Sequence, residues 1–442
     1  MTLRRRRLAV GLLLSVCILA YGAPSSGTGT VTVRVDLSDP APTPVSMTGF
    51  LHGISASTPP DAMVAPLRPA LWRGTPSTVP YERAREFGAR YMLIVSSEWG
   101  YPATGWGRDG SPYEHPDRWK SFVHDVAQAW HGQDAIFDVW NEPDGSDFWD
   151  GTQDQLFDVW TTASRAITEE LGTGVEIVGP SLSRYDPTYI GKFLDACSAA
   201  PGCRVTGLSW HEFVGPSAPI SGITDHLRDA RRRFLDSPKY QALGLDKIYI
   251  NESVGKVSEY RPGDIIGYLS ALEQGGAAGT ARACWADQHA RSQCFKNTLD
   301  GLLTPGIPRP RAAWWAYERY ADGAASRVGA TSDDASVAVV ASSGDGDPGQ
   351  PQVLIGRLGG EGNTSKAATV RTVIRGIESI PSLAGATAVE ASVERLPDRG
   401  TAPVDAPEQL GSVRAVVRDG EAIITVPSVA LHNAYVLRLA PA

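Results

Sequence analysis

From Gly49 onward, short apolar runs alternate with segments of helical periodicity, and this alternation limits the possible folds more than any other feature. Strands separated by helices are laid down in parallel, because each helix carries the chain back along the sheet before the next strand begins. The runs Gly49–Ile54, Ala70–Arg73, Arg90–Ser96, Ala135–Trp140, Val175–Gly179, Val205–Trp210, Lys247–Asn251 and Arg282–Trp285 supply eight such strands. Eight parallel strands close a (β/α)8 TIM barrel. Trp119, Phe122, Val123, Val126 and Trp130 recur at helical spacing after Pro116-Asp117, and Leu156, Phe157, Trp160, Ala163 and Ile167 do the same. Ile223–Leu235 and Ile265–Leu272 supply two more helices, whereas Ser55–Arg68 holds three prolines and no convincing one.

Past Ala324 the pattern changes to strands divided by Gly, Pro and Asp turns: Val337–Ala341, Gln352–Arg357, Ala368–Ile374, Val389–Leu396, Ser412–Val417, Ala422–Val426 and Ala434–Leu439. That spacing predicts a β-sandwich. Val31–Leu37 alternates with period two and is expected to join it, which would make the accessory domain discontinuous. The expected organisation is a leader over 1–22, an N-terminal segment over 23–39, a barrel over 40–325 and a sandwich over 326–442. Gly344–Pro348 lacks the regular ligand spacing of a calcium loop and reads as a turn.

Arg4–Arg7 precede the apolar run Leu8–Ala20 and small residues at Gly22 and Ala23, the layout of a secretory signal peptide. The run is short for a membrane span, so a secreted protein with no stable membrane insertion after processing is expected. Loss of the leader removes four arginines and leaves 37 basic against 49 acidic side chains, a net charge near −12. That charge argues against nucleic acid as a partner, and none is expected. Cys197, Cys203, Cys284 and Cys294 remain, and export favours two sequence-local disulfides, Cys197–Cys203 and Cys284–Cys294, among three possible pairings. No Cys and His spacing resembles a zinc site, so no metal is expected.

Two of the barrel strands end in the same way. Phe137-Asp-Val-Trp140 runs into Asn141-Glu142-Pro143, where the proline stops the ladder, and Lys247-Ile-Tyr-Ile250 runs into Asn251-Glu252. Side chains at the C-terminal ends of barrel strands converge on one mouth, so Glu142 and Glu252 can face each other across 110 positions of chain. Paired carboxylates across a cleft fit glycoside hydrolysis, in which one protonates the leaving oxygen and the other attacks the anomeric carbon or activates water. The proton donor in such a pair needs a raised pKa, while the nucleophile stays ionised.

Trp140-Asn141-Glu142-Pro143 together with Glu252 resembles the large clan of retaining barrel glycoside hydrolases. The finer likeness is to glycoside hydrolase family 39, through Gly49-Phe50-Leu51-His52-Gly53, Phe137–Asp144, Trp210-His211, Gly301–Pro310 and Trp314-Trp315-Ala316-Tyr317. The resemblance implies double displacement, with Glu142 as acid and then base, Glu252 as nucleophile, Asn141 holding the sugar 2-hydroxyl, and no cofactor. Asn251 and Ser253 flank Glu252 where the family commonly carries Thr and an aromatic residue, and the segment His211-Glu212-Phe213 lacks the Tyr often found after that histidine.

Around this pair, His52, Arg73, His211 and Tyr249 lie on or at the ends of strands and are candidates for binding hydroxyls or positioning a carboxylate. Arg73 beside Glu252 is expected to keep it ionised. Trp99, Tyr101, Trp106 and Trp285 are candidates for stacking on sugar faces, and Glu98 and Glu212 are competing carboxylates. The expected activity is cleavage of polysaccharide or oligosaccharide. β-Xylosidase is the leading specificity, and galactosidase, arabinosidase or endo-acting cleavage are alternatives. A catalytically silent carbohydrate-binding barrel is the reading from another class.

Overall fold

The computed structural model describes residues 29–41, 46–107, 110–213, 219–287, 291–344, 350–359 and 367–442. The expected leader and most of the Gly344–Pro348 turn lie outside the described residues. After β1 (Thr30–Pro40) come the eight barrel strands: β2 (Gly49–Leu51), β3 (Leu71–Gly74), β4 (Arg90–Ile94), β5 (Ala135–Asp138), β6 (Glu176–Leu182), β7 (Gly207–Glu212), β8 (Lys247–Ser253) and β9 (Gly279–Arg282). Each pairs in parallel with its neighbours, and Phe50 of β2 pairs with Arg282 of β9 to close the ring. Every residue of β3 and β5 is buried, as expected where helices cover one face and the barrel interior the other.

β9 begins three residues earlier than the apolar run Arg282–Trp285 indicates, and Trp285 lies past its end. A Cβ on Gly279 would sit 3.2 Å from the Tyr249 ring, so the strand needs a small residue there. Small residues pack here but carry little apolar signal. Ser55–Arg68 contains only an α-turn, Asp61–Val64, and a 3-10 turn, Ala65–Leu67. The helices Pro116–Ala129, Gln153–Leu171 and Pro262–Gly275 form where periodicity places them. Thr152 caps the second with a reciprocal bond to Gln155. Gly222–Ala230 gives way to a π-turn at Arg231–Leu235.

The chain then forms β10 (Arg327–Ser332), β11 (Val337–Ser342), β12 (Gln352–Arg357), β13 (Ala368–Arg375), β14 (Ala388–Leu396), β15 (Glu408–Val416), β16 (Ala422–Val429) and β17 (Ala434–Pro441). With β1 they make one nine-stranded sheet in the order β15-β14-β17-β12-β11-β10-β1-β13-β16. β1 runs antiparallel to β10 and parallel to β13. The sheet folds back until its edge strands β15 and β16 meet, enclosing Val33, Val353, Ile355, Val370, Ile424 and Leu437. β10 escapes the pattern analysis because Gly329, Ala330, Thr331 and Ser332 are only partly buried or exposed.

The helix Pro262–Gly275 packs between barrel and sheet and is buried along nearly its whole length. Disulfides join Cys197 to Cys203 and Cys284 to Cys294. Among the described residues, no helix is long and apolar enough to cross a membrane.

Barrel closure leaves Gly49 with no room for a side chain. A Cβ on Gly49 would fall 1.9 Å from the Thr280 carbonyl oxygen, whereas one on Gly174 would meet nothing. Gly49→Ala is expected to destabilise the protein by roughly 1–3 kcal/mol in urea unfolding. Gly174→Ala is expected to be neutral to within about 0.5 kcal/mol.

Candidate active site

Local backbone devices turn both motif carboxylates into the barrel mouth. Trp210 pairs with Ile250 but His211 with Glu252, so Asn251 is an extra residue in β8. Such a bulge re-aims the side chains that follow it. Asn251 and Glu252 therefore both reach inward, although a regular strand would send neighbours to opposite faces. Glu142 follows β5 with φ at 43°, in the left-handed region that residues with a Cβ rarely enter. Its amide donates to the Ser181 carbonyl at 2.9 Å, which anchors the turn.

Arg73, fully buried at the end of β3, organises the floor. Its Nε donates to Asp138 Oδ2 at 2.8 Å, Nη1 to Glu252 Oε1 at 2.7 Å and Nη2 to Asn141 Oδ1 at 2.7 Å. A guanidinium only donates, so the Asn141 carbonyl must face it and the amide NH2 is turned away. Asp138 Oδ1 accepts from Ser181 Oγ at 2.6 Å, and its Oδ2 also accepts from Asn251 Nδ2 at 2.9 Å. A cation with no exposed surface is thus matched by two carboxylates and a carbonyl.

His211, also fully buried, stands between the carboxylates. Its Nδ1 is hydrogen-bonded to Glu142 Oε1 at 2.8 Å, and its Nε2 lies 3.8 Å from Glu252 Oε1, beyond hydrogen-bond reach. Among the described residues, that Nε2 has no hydrogen-bond partner. Burial pushes the Glu142 carboxyl up, but the His211 hydrogen bond and the charges of His211 and Arg73 outweigh it and hold the group below the usual carboxylate range. This reverses the direction anticipated for a proton donor.

The two carboxylates open into a cavity of about 430 Å³ lined also by His52, Arg73, Tyr101, Asn141, Phe213, Trp285 and Phe295. His52 Nδ1 is 2.8 Å from Thr78 Oγ1. Burial and Arg73 push this imidazole down to about 4, so it is uncharged near neutrality. Trp285 Nε1 donates to the Val254 carbonyl at 2.9 Å, and its ring meets Phe213 edge-on. A larger cavity of about 570 Å³ lies between barrel and sheet, where Glu273 is committed to Arg327.

Three expectations are corrected by position. Tyr249 points into the barrel, but it precedes Asn251 by two residues and so lies roughly 7 Å deeper. Its hydroxyl bonds Glu176 and Arg90, and its ring joins Leu71, Met92, Ile136 and Val178 in the barrel core. Trp99 donates to the Gly110 carbonyl and packs on Trp119 and Phe122, away from the cavity. Trp106 packs against Trp140 and Trp149 and donates to Asp150. Of the competing carboxylates, Glu212 is bonded to Trp210 and His226, and Glu98 is exposed on the helix Val95–Trp99. Sequence reasoning passed over Asp138, whose signal was a carboxylate inside an apolar strand, and over Phe148 and Phe295, which lie in loops without periodicity.

The folded chain is similar to solved structures over nearly its whole length. A protein from Neocallimastix frontalis, N2152, aligns with a TM-score of 0.74 at 18% identity, covering 93% of this chain and 100% of that one. The GH39 enzyme from Xanthomonas axonopodis pv. citri gives 0.62 at 18% identity, covering 94% and 98%. A monomeric beta-xylosidase from Caulobacter crescentus CB15 gives 0.61 at 14%, covering 93% and 99%. At these identities the likeness establishes a shared fold, a barrel with an attached β-sheet domain. No family model and no curated protein sequence matches the chain.

The His211 contact carries a sign that can be measured once turnover is assayed. If Glu142 donates a proton, His211→Asn removes the charge and bond that hold its carboxyl down, so Glu142 stays protonated to higher pH. The alkaline limb of the kcat/KM profile is expected to move upward. An unmoved limb would mean that another group sets it.

Proposed function

We propose that the protein is an exported glycoside hydrolase that cleaves by double displacement with retention, and that β-xylosidic bonds are its substrate class. The observation that carries this reading is the pair of strand-end carboxylates, Glu142 and Glu252, facing one cavity with different partners. Two carboxyl groups in unlike surroundings can take separate acid and nucleophile roles. Glu252 rests on the buried Arg73 cation, while Glu142 is hydrogen-bonded to the His211 imidazole.

In this reading Glu142 gives its proton to the glycosidic oxygen as a Glu252 oxygen attacks the anomeric carbon, and the carbon–oxygen bond to the leaving sugar breaks. Water then attacks the glycosyl–Glu252 ester, Glu142 takes the proton, and Glu252 departs as a carboxylate. A sugar entering the cavity excludes water and strengthens the burial that raises the Glu142 pKa, opposing His211 when a donor is needed. The amide NH2 of Asn141, turned away from Arg73, is available to the 2-hydroxyl. Export is supported by the Arg4–Arg7 leader pattern and by two disulfides. The xylosidic specificity is supported by the motif resemblance and by the beta-xylosidase from Caulobacter crescentus among the structural relatives.

Residues 23–442 are expected to release sugar from a panel of aryl glycosides and polysaccharides, with xylosides turned over fastest and the first-formed product in the starting anomeric configuration by NMR. Glu252→Gln is expected to lower kcat by at least about a thousandfold. Glu142→Gln is expected to spare kcat/KM for activated aryl leaving groups while lowering their kcat through the lost base, and to lower kcat/KM for sugar leaving groups by ~10²–10⁴. Unimpaired function in Glu252→Gln would identify a carbohydrate-binding barrel instead.

A further inference from the structure

The cavity wall across the barrel from Glu142 is aromatic and open to water. Phe295 keeps 65% of its surface exposed and yet lines the same cavity as both carboxylates. Single exposed apolar side chains are ordinary on protein surfaces. The backbone that carries this one is anchored by its surroundings. Its segment is tied to the end of β9 by the Cys284–Cys294 disulfide, by pairing of Ala286 with Ser292, and by the Gln293 amide on the Trp285 carbonyl at 2.9 Å. The Gly53 amide donates to the Cys294 carbonyl at 3.2 Å, joining the segment to the end of β2. The Phe295 ring lies 5.3 Å from that of His52. A ring carried on an anchored backbone offers its face with less ordering cost than one on a free loop.

The barrel order fixes which part of a substrate this ring can meet. Glu142 follows β5, Glu252 ends β8, and Trp285 and His52 follow β9 and β2 on the opposite wall. On the hydrolase reading, on which this inference rests, the leaving group lies beside Glu142 and the transferred sugar over Glu252. Whatever is attached to the non-reducing end of the transferred sugar then extends toward β9 and β2. We propose that Phe295 is a stacking platform for a second sugar at this position, so that the preferred substrate is a β-linked oligosaccharide engaged through two consecutive residues and not a single terminal one. Pyranose rings present C–H faces that pack on aromatic faces, and the neighbouring His52 imidazole adds no charge to the wall.

The test compares kcat/KM for 4-nitrophenyl β-xyloside and β-xylobioside, with the β-glucoside and β-cellobioside pair in parallel. The leaving group is then constant and only the second sugar changes. The wild type is expected to prefer the disaccharide glycoside of the sugar it accepts by about tenfold in kcat/KM, and Phe295→Ala to bring that ratio to about one with the monosaccharide glycoside still turned over. Retained monosaccharide turnover also shows that the variant is folded. Phe295→Tyr is expected to keep the preference. A wild type that cleaves both members of a pair equally, or a Phe295→Ala loss equal on both, overturns the platform and leaves the hydrolase reading intact. A wild type inert toward all four overturns the hydrolase reading and the platform with it.

Discussion

The buried Arg73 guanidinium is the interaction on which the site depends. Withdrawing a cation from water costs several kcal/mol even after relaxation, and the cost is offset only where every donor finds a well-placed acceptor. Arg73 meets Asp138 at the end of β5, Asn141 in the loop beyond it and Glu252 on β8. Arg73 on β3 and its partners at the ends of β5 and β8 come from three parts of the barrel, so the cation is satisfied only when the ring has closed in register. The contacts that make burial of the charge tolerable are the same ones that hold a carboxylate and an amide at the cavity floor. A lysine could not replace it, since a point charge lacks the planar fork that reaches three partners at once.

Asymmetry between the two carboxylates follows from what stands beside each. Glu252 takes the Arg73 guanidinium, while Glu142 takes the His211 imidazole. His211 touches Glu142 with one nitrogen and turns the other toward Glu252 without reaching it. A change in charge at either carboxylate is therefore felt at the imidazole between them. The positive φ at Glu142 belongs to the same arrangement, because a backbone conformation costing about 1–3 kcal/mol persists only where surrounding contacts enforce it. The Ser181 carbonyl and the His211 ring supply those contacts.

The fold was legible wherever apolar content and periodicity agreed, and it was lost where packing required small residues. β5 and β8 announce themselves as apolar runs ended by a carboxylate, and the helices Pro116–Ala129 and Gln153–Leu171 by their spacing. β9 is displaced from its expected place because Gly279 must admit the Tyr249 ring. For the site, strand ends indicated the layer holding Arg73, Asn141, Glu142, His211 and Glu252. Strand position alone did not give depth, which is why Tyr249 was drawn into a layer it does not occupy. Nor does residue type separate a tryptophan that lines a cavity, Trp285, from one that packs a helix, Trp99. Phe295 could not be read at all, since its place depends on a disulfide and on a single backbone bond to Gly53.

The central claim is that Glu252, held on Arg73, is the group that becomes covalently attached to sugar. The most direct measurement is to incubate the wild type with 2-deoxy-2-fluoro-β-xylosyl fluoride, whose C2 fluorine slows both steps through an oxocarbenium-like transition state, and to map the labelled peptide by mass spectrometry. The account predicts one fluoroxylosyl group per chain, attached to Glu252 and absent from Glu252→Gln. A label on Glu142 or Asp138, or steady turnover with inverted product and no label, would contradict it.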